Sequence, residues 1–546
     1  MPEKTDSEGF DYDVAIVGGG PVGLTAAHAL AHFGIRTVLI EPRIQATAGS
    51  PRCKQLNPRT MEIFRKLGIA DALRNTPKVP YGWSDAATFS TSLTGELLDR
   101  FDGVFSLPNV QSDDLSEPAL WCPQNQTEEG LRVALADRES LDQLIGWSLT
   151  HVQQDEDGVE LVVGSSDEGT RSLRVKYAIA ADGSRSAVRK QLGIKLAGST
   201  DAIRNMQVTF YAPGLAMAHK LGPAVQYWVV NPEVSGLMGQ LDLDGHWWAI
   251  ILNAPEEATD EWLRQAIGTM IGADVPFVLG TRDPWTARML VAEDYRQDRI
   301  FLAGDAAHLN PPWGGFGANT GIGDAMDISW KLAAVLHGWG GEQLLDSYEA
   351  ERKPMAERTI REASRNMAAL GDRLVHPSML ATGPDGAAAR VCVAETLRAV
   401  KTAELYTTGF VLGARYEGSP AIQYDAGPTP ESSTIVYRRS SAPGSRLPHI
   451  WLSGGQALVD LLGHGISLVN LSSPDDSEMW EEAAGRAGVP LTYIRINRPD
   501  LRQTWEAGYL LVRPDGVIAW RGHKSPNDLS TVIDRVRGCA SSLVTS

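Results

Sequence analysis

The chain has 546 residues, 43% hydrophobic and 21% charged, which is more than one hydrophobic core holds, so length points to roughly three to four domain-sized units. A formal charge of −17 with no run rich in Lys and Arg argues against a nucleic-acid partner, and no apolar run approaches the ~20 residues that span a bilayer. Four widely separated cysteines without a Cys-x-x-Cys pair argue against a zinc site or redox dithiol, and residues 1–10, polar and acidic with no signal-peptide pattern, make the cytoplasm the expected location.

From Tyr12 the chain reads Asp-Val-Ala-Ile-Val, the pattern of a buried parallel strand, and passes at once into Gly18-Gly-Gly20-Pro21-Val22-Gly23. A helical stretch to Phe33 is stopped by Gly34, and a second strand runs from Arg36 to Glu41, followed by Pro42 and Arg43. In such a βαβ unit Gly18 allows the tight turn, Gly20 lets backbone approach a pyrophosphate and Gly23 lets helix pack on strand. The helix N-terminus offers unpaired N–H groups, and Glu41 can accept both hydroxyls of a ribose. Glycine is 54 of 546 residues, so three glycines at fixed offsets are weak alone; the strand, helix and acid around them carry the reading. NAD and FAD use the same cradle.

Further along, a strand from Arg174 to Ala181 runs into Asp182-Gly183-Ser-Arg-Ser-Ala-Val-Arg189, which alone reads as a solvated turn between strand and helix. Segments 86–120 and 196–290 alternate apolar and polar residues, an antiparallel-sheet pattern. Tryptophans such as those after Tyr227 and His246 fit a core as readily as a pocket for a flat ligand. A strand from Arg299 delivers Gly304-Asp305 onto a loop, and residues 310–324 carry five glycines and two prolines before a helix expected from about Ala325. Such glycine density lets backbone lie flat against a ligand. A helical stretch covers roughly 342–400, and Tyr424-Asp-Ala-Gly-Pro-Thr-Pro reads as a linker.

Together Gly18 to Glu41, Ala181 to Arg189 and Gly304 to Asp324 resemble, in order and spacing, the group A flavoprotein aromatic hydroxylases, the family of para-hydroxybenzoate hydroxylase and phenol hydroxylase. Tyr348-Glu-Ala-Glu-Arg352-Lys-Pro354 is similar to that family's close of the FAD domain. The resemblance implies FAD as cofactor, NADPH or NADH as co-substrate, and O2. Glu41 would bind the FAD ribose, with Pro21, Val22, Pro42 and Arg43 in the same cradle. Gly304 and Asp305 would hold the ribityl or pyrophosphate region, and Gly315, Gly317, Ala318, Asn319 and Thr320 would lie against the isoalloxazine. Asp182, Gly183 and Arg189 would serve the flavin's underside and the nicotinamide passage. The segment Ser50-Pro-Arg52 implies a phosphate contact for Arg52, a surface ion pair being the alternative; Gln126 would stand beside that arginine and the flavin, or be a helix-start hydrogen bond.

By the same resemblance the protein is an FAD-dependent monooxygenase that hydroxylates a phenolic or polyketide-type aromatic through a flavin C4a-hydroperoxide. The carbonyl of Pro312 would lie near the reacting oxygen, with Trp313 in place of a smaller residue. Tyr227 or Gln226 would meet the substrate hydroxyl, each otherwise a plain strand residue, and His308 is read as structural rather than a base. The implied fold is α/β: a Rossmann-like FAD-binding domain (10–85, 121–195, 291–400), an inserted antiparallel-sheet substrate domain (86–120, 196–290), and a thioredoxin-like domain (425–546) without Cys-x-x-Cys, given to stability or subunit contact in a homodimer. Epoxidation, Baeyer–Villiger insertion, and a turnover-deficient flavin-binding protein remain open on the same fold. No Trp-x-Trp-x-Ile-Pro segment of the flavin halogenases occurs.

Overall fold

The computed structural model describes residues 9–45, 52–109, 112–136, 138–369, 374–427, 431–471 and 476–540; Ser50 and Pro51 of the Arg52 segment lie outside them. Strand Tyr12–Val17 lies between Thr37–Glu41 and Gly169–Ala180, with Leu141–Ile145 and Ile300–Leu302 outside, all five parallel. The register pairs Val17 with Ala180 and Ile40, and Ala180 with Leu302. The carboxyl ends therefore align, and Gly18, Ala181 and Ala303 emerge side by side, where ligands of open α/β sheets bind. The apolar runs read as strands are buried on both faces, as Thr37–Glu41 is at every position.

Two helices begin at that edge, Pro21–His32 and Gly317–Leu336. The second starts eight residues before the Ala325 expected from sequence. Glycine weakens a helix by about 1 kcal/mol but does not forbid one, and here small size is required. A Cβ on Gly321 would stand 2.6 Å from Val22 and 2.8 Å from the Gly304 backbone; one on Gly323 would meet the Arg352 guanidinium at 2.7 Å.

A second, eight-stranded sheet combines Ala87–Ser90 and Leu97–Phe101 with five strands between Leu196 and Ala292 and with His308–Leu309. Its pairings are antiparallel except Gln226–Val229 with Ala87–Ser90. One face, with Val208, Tyr227, Met238 and Ala249, packs on helix Asp260–Ile271. The other carries Phe89, Trp228, Trp248 and Ile250 and meets Trp121 and helix Pro384–Leu405.

The C-terminal unit has four strands in the order Leu491–Arg495, Ile466–Asn470, Tyr509–Val512, Ile518–Gly522; the first two are parallel and the rest antiparallel. With helices Ser477–Arg486, Pro499–Thr504 and Leu529–Val536 between and after them, this is the βαβ-then-ββα topology of thioredoxin. It is fastened by buried charge: Arg513 meets Glu351 at 2.7 Å, Asp327 at 3.1 Å and Asp515 at 2.6 Å. All four cysteines are free. No described helix is long and apolar enough to cross a membrane.

Candidate active site

Three loops meet at the aligned strand ends. Gly18 has φ +108°, and a Cβ there would lie 2.3 Å from the Ala181 carbonyl, so the first loop touches the Asp182 loop directly. On Gly23 a Cβ would fall 1.8 Å from the Gly18 carbonyl, whereas Gly20 faces open space. Val22 packs against Gly304, which has φ +60°. Arg189, buried, donates to the Ala306 carbonyl at 2.9 Å and ties the second loop to the third.

The acids divide into held and unheld. Glu41 is buried and accepts from Gly19 N–H at 2.5 Å and from Arg43 N–H and Nε at 2.8 and 2.7 Å. Burial would raise its pKa, but the Arg43 guanidinium and these N–H groups outweigh it and hold the carboxyl below its usual range. Asp182 caps helix Ala187–Gln191 through Oδ2, with Ala187 N–H at 2.7 Å and Val188 N–H at 3.1 Å, while its Oδ1 is buried without a partner. Gly183 follows with φ +80°. Asp305 has no hydrogen-bond partner among the described residues. Its side chain keeps solvent access inside a concavity; surrounding protein pushes its carboxyl up, and His308 and Arg52 pull the other way.

His308 is fixed by Asp324, at 2.8 Å, and the same buried carboxylate accepts Gly304 N–H at 3.0 Å and Arg352 Nε at 2.8 Å. Asp324 thus sets the Gly304 turn and orients the buried His308 ring. The side chain of Asn319 is fully used: it donates to the carbonyls of Gln55 (3.0 Å) and Gly315 (2.7 Å) and accepts from Asn57 N–H and Thr60 Oγ1. Thr320 Oγ1 bonds the Phe316 carbonyl at 3.0 Å. What Gly317, Ala318 and Asn319 can offer a ring is therefore backbone, the first-turn N–H groups that no preceding helical carbonyl satisfies. Open space at Gly20, the orphaned Asp182 Oδ1 and the unpartnered Asp305 fit the phosphates and hydroxyls of FAD. No group of three or more His, Cys, Asp or Glu side chains among the described residues could hold a metal.

Residues 11–363 match the FAD binding domain family and residues 440–540 the aromatic-ring hydroxylase C-terminal family. Tetracenomycin B2 monooxygenase-dioxygenase of Streptomyces olivaceus is 31% identical over 96% of this chain and 98% of its own. The chain belongs to the FAD-dependent aromatic-ring hydroxylases. The 2,4-dichlorophenol 6-monooxygenase of Delftia acidovorans is 30% identical over 96% of this chain and 98% of its own. The solved structure of the rebeccamycin biosynthetic enzyme RebC with reduced flavin superposes with TM-score 0.89 at 31% identity, covering 97% of this chain and 99% of that one. It is thus an FAD-dependent aromatic monooxygenase, with the family's α/β architecture.

Opposite the flavin cradle of this hydroxylase stands the second sheet. Cross-strand register pairs Thr209 with Trp248, Gln207 with Ile250 and Asp283, and Asn205 with Trp285, so all of these share one face. Arg52, largely exposed, reaches Asp283 on that face at 3.2 Å. An exposed pair of this kind is worth at most about 1 kcal/mol, so Arg52 stands at the cleft mouth, close enough to act on Asp305, without being fixed there. Pro312 is exposed and its carbonyl accepts Gly315 N–H at 3.1 Å. Trp313 is buried, edge-on to Trp285 at 5.5 Å between ring centres.

Tyr227 is a correction. It lies on the far face, its hydroxyl donating to the Gly222 carbonyl at 2.8 Å and accepting Ala224 N–H at 2.9 Å. Gln226, one residue away, points the other way but accepts from Trp228 Nε1 at 3.0 Å. The amide of Gln126 is buried between Lys78 N–H at 2.9 Å and the Leu241 carbonyl at 3.1 Å and ties these elements together. Gln124, at the start of the same helix, donates its backbone N–H to the Cys53 carbonyl at 2.8 Å and its side-chain amide to Glu128 at 2.9 Å. Half-open cavities of about 120 and 290 Å³, sharing Arg358 and Arg446, lie behind helix Gly317–Leu336 against the C-terminal unit, away from this cleft. Neither Asp324 nor Asp283 stood out in the sequence. Asp324 was within reach: placing the helix start at Gly317 puts Gly321, Asp324 and Ile328 on one face.

Proposed function

We propose that this flavoprotein hydroxylates a ring carbon of a phenolic or polyketide-type aromatic, taking electrons from NADH or NADPH and one oxygen atom from O2. The supporting observation is the meeting of the Gly18, Asp182 and Gly304 loops beside a tryptophan-bearing sheet face. The names of the relatives, tetracenomycin and dichlorophenol oxygenases, support the substrate class. When bound, FAD would pass two electrons from NAD(P)H to O2, so that one oxygen atom can go to the ring and the other leave as water. The chain supplies positioning and dryness. Pro311, Trp313 and Trp285 form an apolar corner that keeps water from the reacting centre, and the Pro312 carbonyl, held in its turn by Gly315 N–H, borders it. Asp182, Gly183 and Arg189 lie on the side where a nicotinamide would approach. NAD(P)H dependence and the absence of disulfides suit the cytoplasm, and a homodimer is compatible with the fold. The test is a panel of phenols and polycyclic aromatics for stimulated NAD(P)H oxidation, followed by product mass and structure. One added oxygen on a ring carbon is the expected result; a carbonyl converted to an ester, an epoxide, or no stimulation by any aromatic contradicts it.

A further inference from the structure

An ammonium taken out of water needs an acceptor, so buried lysines are paired. Three are buried among the described residues. Lys331 meets Asp327 at 2.7 Å and Glu351 at 2.8 Å, and Lys401 meets Glu404 at 2.6 Å. Lys54 has 8% exposure, and its ammonium makes neither ion pair nor hydrogen bond to any described residue. Its Nζ lies 4.2 Å from the centre of the Trp248 ring and, though unpartnered, is not among the sealed polar atoms, so it borders open space.

The direction of the side chain identifies that space. Lys54 stands two residues after Arg52 and directly before Gln55, whose amide faces Gly315. Arg52 reaches Asp283 and Lys54 reaches Trp248, both on the cleft face of the second sheet. The Trp248 indole is seated over Gly239, where a Cβ would stand 2.9 Å from it, so the platform beside Lys54 needs that glycine. Neighbouring groups do not neutralise the ammonium. Cys53 donates Sγ–H to the Gln55 carbonyl and burial raises its pKa, leaving it a neutral thiol; Asp283 is engaged by Arg52; Asp305, on the flavin loop, acts on Cys53.

We propose that Lys54 binds an ionised oxygen of the substrate, a phenolate or enolate, and so selects ring compounds that carry an acidic hydroxyl. The inference rests on the hydroxylase reading above. Burial pushes the Lys54 ammonium down to about 7, and an anion beside it restores the charged form. Conversely, a nearby ammonium lowers a phenol from its ordinary pKa of about 10.

The experiment titrates 4-nitrophenol, whose phenolate is coloured, on the FAD-loaded enzyme. The wild-type protein should lower the bound phenol's midpoint by about 1–3 units relative to free nitrophenol. Lys54→Met should abolish that shift and weaken phenolate binding at least about tenfold, with FAD content kept and thermal stability not reduced, because an unpaired buried charge has gone. Lys54→Arg, which keeps the charge, should retain part of the shift. A Lys54→Met enzyme that binds the phenolate with unchanged midpoint and affinity, or a wild-type enzyme that turns over phenols and their methyl ethers alike, overturns the role of Lys54 and leaves the hydroxylase reading standing. No stimulated NAD(P)H oxidation with any aromatic overturns both.

Discussion

Asp305 shows how a single side chain can mark a ligand site. A solvent-accessible carboxylate whose pKa the surrounding protein raises, without a donor among the described residues, is free to accept hydroxyl donors. Its backbone position is fixed by the Gly304 N–H to Asp324 bond, so the side chain is held ready rather than free to leave. Hydrogen bonds to a charged group contribute about 1.5–3 kcal/mol, so Asp305→Ala should weaken FAD binding about 10- to 100-fold. The flavin-to-protein ratio after gel filtration measures this, and full occupancy in the variant would remove the assignment. The same scale explains why Tyr227 misled. A strand pattern of period two separates Tyr227 from Gln226 but does not say which face meets the cleft; that is set by register with distant strands.

At the scale of elements, helix Pro58–Lys66 anchors the preceding segment with its short strand Gln55–Leu56 and is itself held from outside the FAD unit. Glu62 is buried against Arg446 of the C-terminal segment, with Oε1 at 2.8 Å from Nε, and accepts from Ser116 at 2.9 Å. Burial would raise its pKa, but Arg446, Arg59 and Ser116 outweigh it and hold the carboxyl down to about 2. A depressed carboxyl stabilises the fold above its unfolded pKa of 4.5, and that contribution is lost as pH falls toward 2. Glu62→Gln should therefore cost about 3–5 kcal/mol at neutral pH and flatten the fall of stability between these two values, read from thermal midpoints against pH. An unchanged acid profile would mean that another group dominates. Much at this scale was legible in the residues. The first βαβ unit and the strands before Asp182 and Gly304 are local, apolar and bounded by glycine, and the fold follows them. The helix from Gly317 was not, because its glycines read as loop while their true reason, contact with Val22 and Arg352, is tertiary.

Across the whole molecule one chain of contacts links the distal unit to the cofactor cradle. Arg513 pairs with Glu351; the adjacent Arg352 bonds Asp324 and the Thr320 carbonyl; and Asp324 holds Gly304. The thioredoxin-like unit thus braces the flavin loops, and removing one partner from such a buried network leaves a charge uncompensated. Sequence alone gave this unit a place in the order of domains but not its contact, since Arg513 and Glu351 stand 162 residues apart. The family, cofactor and reaction class were readable because the three loops keep their order and spacing. The substrate was not, because the cleft is built from residues such as Lys54 and Trp248 that no local motif connects.

All of this depends on the three loops enclosing one flavin nucleotide. The direct measurement is a titration of the purified, flavin-stripped chain with FAD, followed by absorbance near 450 nm and by quenching of flavin fluorescence. Saturation at one FAD per chain, with the shifted, structured visible band of a flavin held away from water, is the predicted result. A chain that stays colourless, or whose added FAD keeps the spectrum of free flavin at every ratio, contradicts the account.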